Sequence, residues 1–400
     1  MRSTPTLESV ISPHNAEDFF RDYWGKRCLH VQRETTDYFN FVLTANDLDH
    51  YFQSKTLHPS FIRVIKSGLD CETSKWTRVD KRQNTDFYTV VDTEKLFAHF
   101  SAGASLIVNV SEGSIPAVGR FCNSLEQELK IRLQANVYVT PPHEKGFVLH
   151  FDSHHIFILQ TGGRKRWKLY GRVPDEILAG QQNLSEYYKT REPEEEFELQ
   201  AGDLLYLPVN TVHEVYTTDS MSIHVSVGVY ERRWFHLLQD LSKTAESSFD
   251  FNRTLPNSFS SDDDKRKFAD EFSEKLKELL RKTDDQEVVA NERAVFVRDQ
   301  FINADGWLLD LLHVDQLNLD SVVSRRPGID YIVTENARNI EITFWNQKLS
   351  IPRILKPVVE LISGDEPFRI HEIKGLISDS GKIDLVTDFV RSGLLTIRSL

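Results

Sequence analysis

The chain has 400 residues, 40% hydrophobic and 11% aromatic, and carries 60 acidic against 48 basic side chains for a formal net charge of −12. That length and apolar content allow more than one buried core and exclude a disordered chain. The charge opposes generic binding to phosphate backbones and suits a basic partner or plain solubility. No run of 18 apolar residues occurs, and the start, "MRSTPTLESVISPHNAEDFF", has no basic stretch followed by an apolar one. Neither a membrane span nor a signal peptide is therefore expected, and the expected location is the cytoplasm. Cys28, Cys71 and Cys122 are widely spaced, which suits a reducing compartment and forms neither a disulfide framework nor a zinc pattern.

Along the chain, Asn15 can cap a helix that runs through Trp24 and stops at Gly25; "CLHVQR" then reads as extended, and "TANDLDHYFQ" and "TEKLFAHF" as short helices. From about residue 104 the texture becomes short β-rich runs: "SLIVNV", "ANVYVT", "VLHFD", "HIFILQT", "RWKLYG", "EEFELQ", "LLYLP" and "SIHVSVGVY". Many short strands punctuated by Gly, Pro and Asp predict a barrel or jelly-roll sandwich, with Gly162-Gly163 as the turn between two of them. Residues 236 to 312 turn helical, and Phe268, Phe272, Leu276 and Leu279 recur at helical spacing behind a connector, "TLPNSFSSDDDK". From about 320 to 400 short helices are expected, "IPRILKPVVELIS", "IHEIKGLIS" and "KIDLVTDFVRSG", before a closing strand in "LLTIRS".

The chemistry concentrates in "LHFDSHHIFILQTGGRKRWKLYG". On a strand, side chains two apart share a face, so His150 and Asp152 point the same way. His213, just after the strand in "GDLLYLP", is the candidate third ligand. Two imidazoles and one carboxylate leave positions open on an octahedral ion, as in non-haem Fe(II) oxygenases, for a bidentate co-substrate and oxygen. A buried His paired to an Asp is equally a structural hydrogen bond. The second signal is Lys165, which shares a strand face with Trp167 while Arg164, Arg166 and Lys168 take the other. A lysine facing into a barrel needs an anion, and a co-substrate carboxylate is one.

The succession "ANVYVTPP", "HFD", "FILQTGGRKRWKLY", "GDLLYLP" and His213 resembles the JmjC-type cupin 2-oxoglutarate oxygenases, most closely the ribosomal oxygenase subgroup, over about residues 10 to 235. The resemblance implies a mainly β fold with added helices. A double-stranded β-helix (cupin or jelly-roll) catalytic domain would occupy 1–235, a helical dimerisation segment 236–312 and a winged-helix-like domain 313–400. It implies Fe(II) on His150, Asp152 and His213, with no catalytic side chain beyond these ligands. Lys165 would pair with the distal carboxylate of 2-oxoglutarate, and Asn136, Tyr138 and, more weakly, Ser226 would line the rest of that pocket. His224 is read as a supporting residue and not a fourth ligand. Oxygen is the second co-substrate.

The resemblance further implies hydroxylation of an amino-acid side chain, Arg or His of a ribosomal protein, on a protein or peptide of basic character, and a homodimer. Demethylation of a histone or other protein, tailoring of a peptide natural product, a non-catalytic cupin scaffold and a transcription factor with a sensory cupin are the alternatives. The acidic run "REPEEEFELQ" would suit a basic partner, or its Glu194 to Glu196 are a solvated loop. Nucleic acid is disfavoured for the C-terminal part. Residues 366 to 398 carry five acids (Glu366, Glu372, Asp379, Asp384, Asp388) against five bases (Arg369, Lys374, Lys382, Arg391, Arg398), and a recognition helix over 382 to 391 would set Asp384 and Asp388 against phosphate.

Overall fold

The computed structural model describes residues 5–81, 87–178, 180, 183–246, 248, 250–255, 261–300, 302, 304–364 and 366–400. Contacts divide the chain into two compact units. The first is Met1–Tyr230 with Asn303–Asp305 and Arg326–Ile329, and the second is Glu231–Ile302, Gly306–Arg325 and Asp330–Leu400.

The first unit opens on α1 (Leu7–Ile11), α2 (Ala16–Asp22), β1 (Leu29–Val31) and α3 (Ala45–Phe52). Their starts follow from side-chain caps: Asn15 accepts from the Asp18 N–H, and Thr44 forms a capping box with Asp47. Then come β2 (Ile62–Lys66), β3 (Leu69–Asp70), β4 (Thr77–Lys81), β5 (Phe87–Val91), α4 (Thr93–Ser101), β6 (Ser105–Val108), α5 (Pro116–Leu129) and β7 (Arg132–Thr140). The barrel closes through β8 (His155–Arg172), the short helices α6 (Asp175–Leu178) and α7 (Leu184–Tyr188), β9 (Glu195–Gln200), β10 (Leu204–Leu207), β11 (Thr211–Tyr216) and β12 (Ser222–Tyr230).

The strands run in the order β1-β10-β8-β12-β7-β6-β2-β3, and β9 and β11 pair with the later part of β8. Alternation assigns the two faces. Ala135, Val137 and Val139 of β7 and Val225, Val227 and Val229 of β12 are buried with Phe157 and Leu159 in the main core, which the N-terminal helices cover. Their neighbours Asn136, Tyr138, His224, Ser226 and Gly228 face a cavity on the opposite side of the sheet.

One strand departs from the sequence reading. The Gly162-Gly163 pair is not a turn: β8 is a single strand of 18 residues crossing both sheets. Its ladder to β12 slips there, since Ile223 opposes Gly162 while His224 opposes Gln160, leaving Thr161 as the extra residue of a bulge. Gly163 takes φ 62° where a Cβ would stand 1.7 Å from the Met221 carbonyl oxygen. The inserted residue changes parity. Ile156 and Ile158 face the cavity before the bulge, and Lys165 and Trp167 face it afterwards. A second departure is "VLHFD", which is no strand and meets β11 through one isolated bridge, His150 to His213. The run "EEFELQ" is a strand as expected, but Glu196, read alternatively as part of a solvated loop, lies on β9 with Glu198, and they face Arg166 (3.5 Å) and Arg164 (3.8 Å) of β8.

The second unit contains α8 (Trp234–Glu246), α9 (Asp262–Lys282), α10 (Asp285–Asp299) and α11 (Trp307–His313), then β13 (Val322–Arg325), β14 (Ile332–Glu335), β15 (Asn339–Phe344), β16 (Gln347–Pro352), α12 (Lys356–Ser363), β17 (Phe368–Arg369), α13 (Asp379–Arg391) and β18 (Leu395–Ser399). Residues 256–260 of the expected connector lie outside the described residues. Ser261 at its end caps α9. Where short helices were expected from 320 onward, the chain first builds strands: β13 lies between β17 and β18, and β14, β15 and β16 form a meander. "IHEIKGLIS" contributes only a 3-10 turn over Ile370–Glu372, because β17 pairs with β13 immediately before it and Gly375 sits at φ 129°.

Gly163→Ala should cost about 2–4 kcal/mol, since strain at positive φ adds to a backbone collision. Gly180→Ala, at φ 70° with nothing within 4 Å, should cost only about 1 kcal/mol. Urea unfolding of both variants checks the pair, and equal losses would contradict the bulge geometry.

Candidate metal and co-substrate site

The cavity is walled by β7, β8, β11 and β12 and by the 146–154 segment. His150 and His213 exchange both backbone hydrogen bonds, 3.0 and 2.8 Å, and so stand directly opposite one another with ring centroids 4.3 Å apart. Asp152 is tied to the same edge because its carbonyl accepts from the Asn210 N–H at 2.8 Å. The Asp152 Oδ2 atom lies 3.8 Å from His150 Nε2 and 3.7 Å from His213 Nε2, and one ligand atom from each of the three residues falls within 4.8 Å of the others. Among the described residues this is the one such cluster of metal-binding side chains.

Each imidazole is held in one tautomer. His150 Nδ1–H donates to the Val148 carbonyl at 2.9 Å and His213 Nδ1–H to the Thr211 carbonyl at 3.0 Å, which leaves both Nε2 atoms bare and turned toward Asp152. Burial, with His150 close by, lowers the His213 pKa to about 4 against the opposing pull of Asp152, so the ring is neutral at pH 7, the form a metal ligand requires. Trp167 stacks on His213 with centroids 5.6 Å apart.

Lys165 is 1% exposed, and burial alone lowers its pKa to about 7. Its Nζ donates to Thr140 Oγ1 at 3.1 Å, and no carboxylate of the described residues pairs with it. Tyr138 lies beside it, its ring 5.9 Å from Nζ and stacked on His224 at 4.7 Å and 5°. Burial and the Lys165 charge hold His224 well below the ordinary imidazole range. All seven residues singled out in the sequence, His150, Asp152, His213, Lys165, Asn136, Tyr138 and Ser226, line this one cavity, and His224 joins them as a ring packed on Tyr138.

Three contributors were not singled out. Thr140 was legible, since it continues the Asn136–Tyr138 alternation. Gly228 continues that of His224 and Ser226, and its missing side chain matters: a Cβ there would lie 2.7 Å from the His154 ring, which stacks on Tyr230 at 4.5 Å across the cavity wall. His154 itself had no signal, because it sits in the irregular segment before β8.

Residues 113–237 match the JmjC domain family model. The chain is 29% identical over 259 residues to the bifunctional lysine-specific demethylase and histidyl-hydroxylase NO66 of Aedes aegypti, a match covering 62% of this chain and 39% of that protein. It is 27% identical over 270 residues to ribosomal oxygenase 1 of Danio rerio, covering 64% of this chain and 47% of that one. The matched part of the barrel is a JmjC domain. The chain spans less than half the length of these two relatives. The fold of the JmjC domain and of the second unit is also that of YcfD, a ribosomal oxygenase from Escherichia coli, at 15% identity with a TM-score of 0.55 over 96% of this chain and 98% of that one. A second structure of YcfD, in complex with cobalt and 2-oxoglutarate, gives a TM-score of 0.54.

An unpaired buried ammonium sets a stability test. The unfolded chain keeps the Lys165 proton up to about pH 10.4, whereas the folded chain loses it near pH 7, so between those values folded stability rises with pH by at most about 1.4 kcal/mol per unit. Without ligand at pH 7, Lys165→Met should be more stable than the parent by up to about 4 kcal/mol, and the gap should narrow toward pH 10. Thermal or urea unfolding at both pH values measures it, and a gap independent of pH would contradict the burial.

Proposed function

We propose that the chain is an Fe(II)- and 2-oxoglutarate-dependent oxygenase that hydroxylates an amino-acid side chain of a protein or peptide. The observation that carries this reading is Lys165, an ammonium buried without a carboxylate in the same cavity as His150, Asp152 and His213. The three ligand side chains fit iron(II): two imidazoles with bare Nε2 atoms and one carboxylate, all within 4.8 Å. Iron(II) held there would supply, with 2-oxoglutarate and oxygen, the oxidising power that no side chain possesses.

The chain's own residues then bind and orient. Lys165 pairs with the distal carboxylate of 2-oxoglutarate, and that carboxylate restores the proton that burial draws off. Asn136, Tyr138 and Ser226 line the remaining pocket, and the apolar wall of Ile156, Ile158, Trp167 and Val215 excludes water. The relatives' names, histidyl-hydroxylase and ribosomal oxygenase, favour a ribosomal protein as the substrate and His as the side chain, and the net charge of −12 favours a basic protein.

The rest of the chain is proposed to serve this activity. Residues 1–235 form the catalytic domain, 236–312 a dimerisation segment and 313–400 a winged-helix-like domain that handles protein and not nucleic acid. The apolar side chains Trp234, Phe235 and Leu238 of α8 and Phe272, Leu276 and Leu280 of α9 are exposed, as an interface with a second copy would require. No described helix is long and apolar enough to cross a membrane. The unpaired cysteines fit a cytoplasmic setting.

His150→Ala should abolish iron binding and succinate formation while the circular dichroism of the fold is kept. Full iron-dependent turnover in that variant would remove the reading. Lys165→Ala should weaken 2-oxoglutarate binding by about 2–5 kcal/mol. In the parent, binding takes up a proton above pH 7, so the apparent Kd should rise by up to about tenfold per pH unit there and stay flat below it. Mass spectrometry of ribosomal proteins incubated with the enzyme, iron, ascorbate and 2-oxoglutarate separates a gain of one oxygen from loss of a methyl group.

A further inference from the structure

The segment that carries His150 enters the site without a strand of its own. Backbone bonds fix it at Glu144, whose carbonyl accepts from the Thr217 N–H, and at His150, which pairs with His213. Among the described residues no backbone hydrogen bond ties 145–149 between those two points. Yet the His150 ring takes its orientation from inside that gap, because its Nδ1–H donates to the Val148 carbonyl. A carbonyl can orient a ring only if it is itself held, so packing must do what a ladder does elsewhere. Leu149 packs inward on the small core of Val173, Ile177, Tyr188 and Val212. The outward side of the segment needs a second support.

That support comes from the hairpin of β2 and β3. Lys66 pairs with Leu69, so the turn is the two residues Ser67 and Gly68, at φ 52° and 81°, the left-handed pair that a tight hairpin requires. Gly68 is seated on Val148: a Cβ at position 68 would stand 2.6 Å from Val148 Cγ1 and 3.5 Å from the Val148 backbone nitrogen. Arg63 of β2 lies over the Phe147 ring, 5.3 Å from its centroid. Asp70 of β3 clamps that guanidinium, accepting from Nε at 2.9 Å and from Nη2 at 2.8 Å. Phe147 in turn packs on the His150 ring at 5.4 Å. The hairpin's outer strand adds nothing to the core, since Leu69 and Asp70 are both exposed. Its contacts with Phe147 and Val148 give it a different use.

We propose that the β2–β3 hairpin is a buttress for the metal-ligand segment, with Gly68 and Arg63 as positioning residues that act on His150 through Val148 and Phe147. This rests on the reading of His150, Asp152 and His213 as the metal site. The buttress requires that crowding position 68 disturb His150 and spare His213, whose ring is oriented from β11 itself by the Thr211 carbonyl.

Titration of the full chain with cobalt(II), followed by absorbance, tests the proposal. Gly68→Asn puts in a residue that tolerates the left-handed turn but sets a side chain where Val148 stands, and it should weaken cobalt(II) binding by about tenfold or more. Adding Val148→Ala returns the room and should bring the affinity back to within about threefold of the parent, although any strain in the turn is unchanged. Arg63→Ala, at a half-exposed side chain, should weaken binding by about threefold. Unchanged affinity in either single variant, or a double variant no tighter than Gly68→Asn, would overturn the buttress. A second measurement needs no metal: in protein labelled at histidine nitrogens, His150 should lose its fixed Nδ1–H tautomer in Gly68→Asn and in Arg63→Ala while His213 keeps its own. Equal changes at both rings, or none at either, would overturn the proposal as well. A parent chain that binds no cobalt(II) would sink the metal-site reading, while the ring nitrogens still decide the buttress.

Discussion

Everything in the cavity depends on one extra residue in β8. A regular strand alternates its side chains between two faces, so a strand that contributes Ile156 and Ile158 to the inside would ordinarily put Lys165 and Trp167 outside. The bulge at Thr161 and Gly162 resets the alternation, and Gly163 makes it possible because only a residue without a Cβ can pass the Met221 carbonyl. The same strand thereby serves two sheets, closing the main core on one side and presenting an ammonium and an indole to the cavity on the other. The bulge is a steric device with an electrostatic result.

That result is a pocket in which charge is withheld. His213 and His224 are both driven toward neutrality by burial, and Lys165 is held near the midpoint of its own titration. The opposing carboxylate, Asp152, is turned toward the two imidazoles and not toward the lysine. The two halves of the site are therefore electrostatically distinct. One is a donor set ready for a cation, and the other is a donor group lacking an anion. Stacking holds the halves in register: Trp167 packs on His213, and Tyr138 packs on His224.

Much of this was legible because alternation and ligand chemistry are local. Most strands from Ser105 to Tyr230 were recognisable by period, but not β11, which carries His213 and was read as the chain just after a strand; the sharing of one face by Asn136 and Tyr138, or by His224 and Ser226, follows from spacing alone. The convergence of His150, Asp152 and His213 was anticipated for a partly mistaken reason. The His150–Asp152 segment is not a strand, and its side chains converge because paired backbone bonds to His213 and an Asn210 contact hold it. Gly162-Gly163 misled because a glycine pair signals a turn and a bulge equally, and only the partner strand decides. The strands between Val322 and Pro352 were overlooked although Ile340, Ile342 and Phe344 alternate with Asn339, Glu341 and Thr343. His154 carried no sequence signal, for its place is a product of tertiary contacts.

Burial of Lys165 has a further chemical consequence. An amine that is half unprotonated near neutrality is a nucleophile as well as a base, and an apolar wall strips it of the water that would blunt it. Carbonyl compounds and carbon dioxide are the electrophiles such a group attacks. A carboxylate seated against it restores the proton and removes the lone pair, so an anion in this pocket also shields the amine from modification.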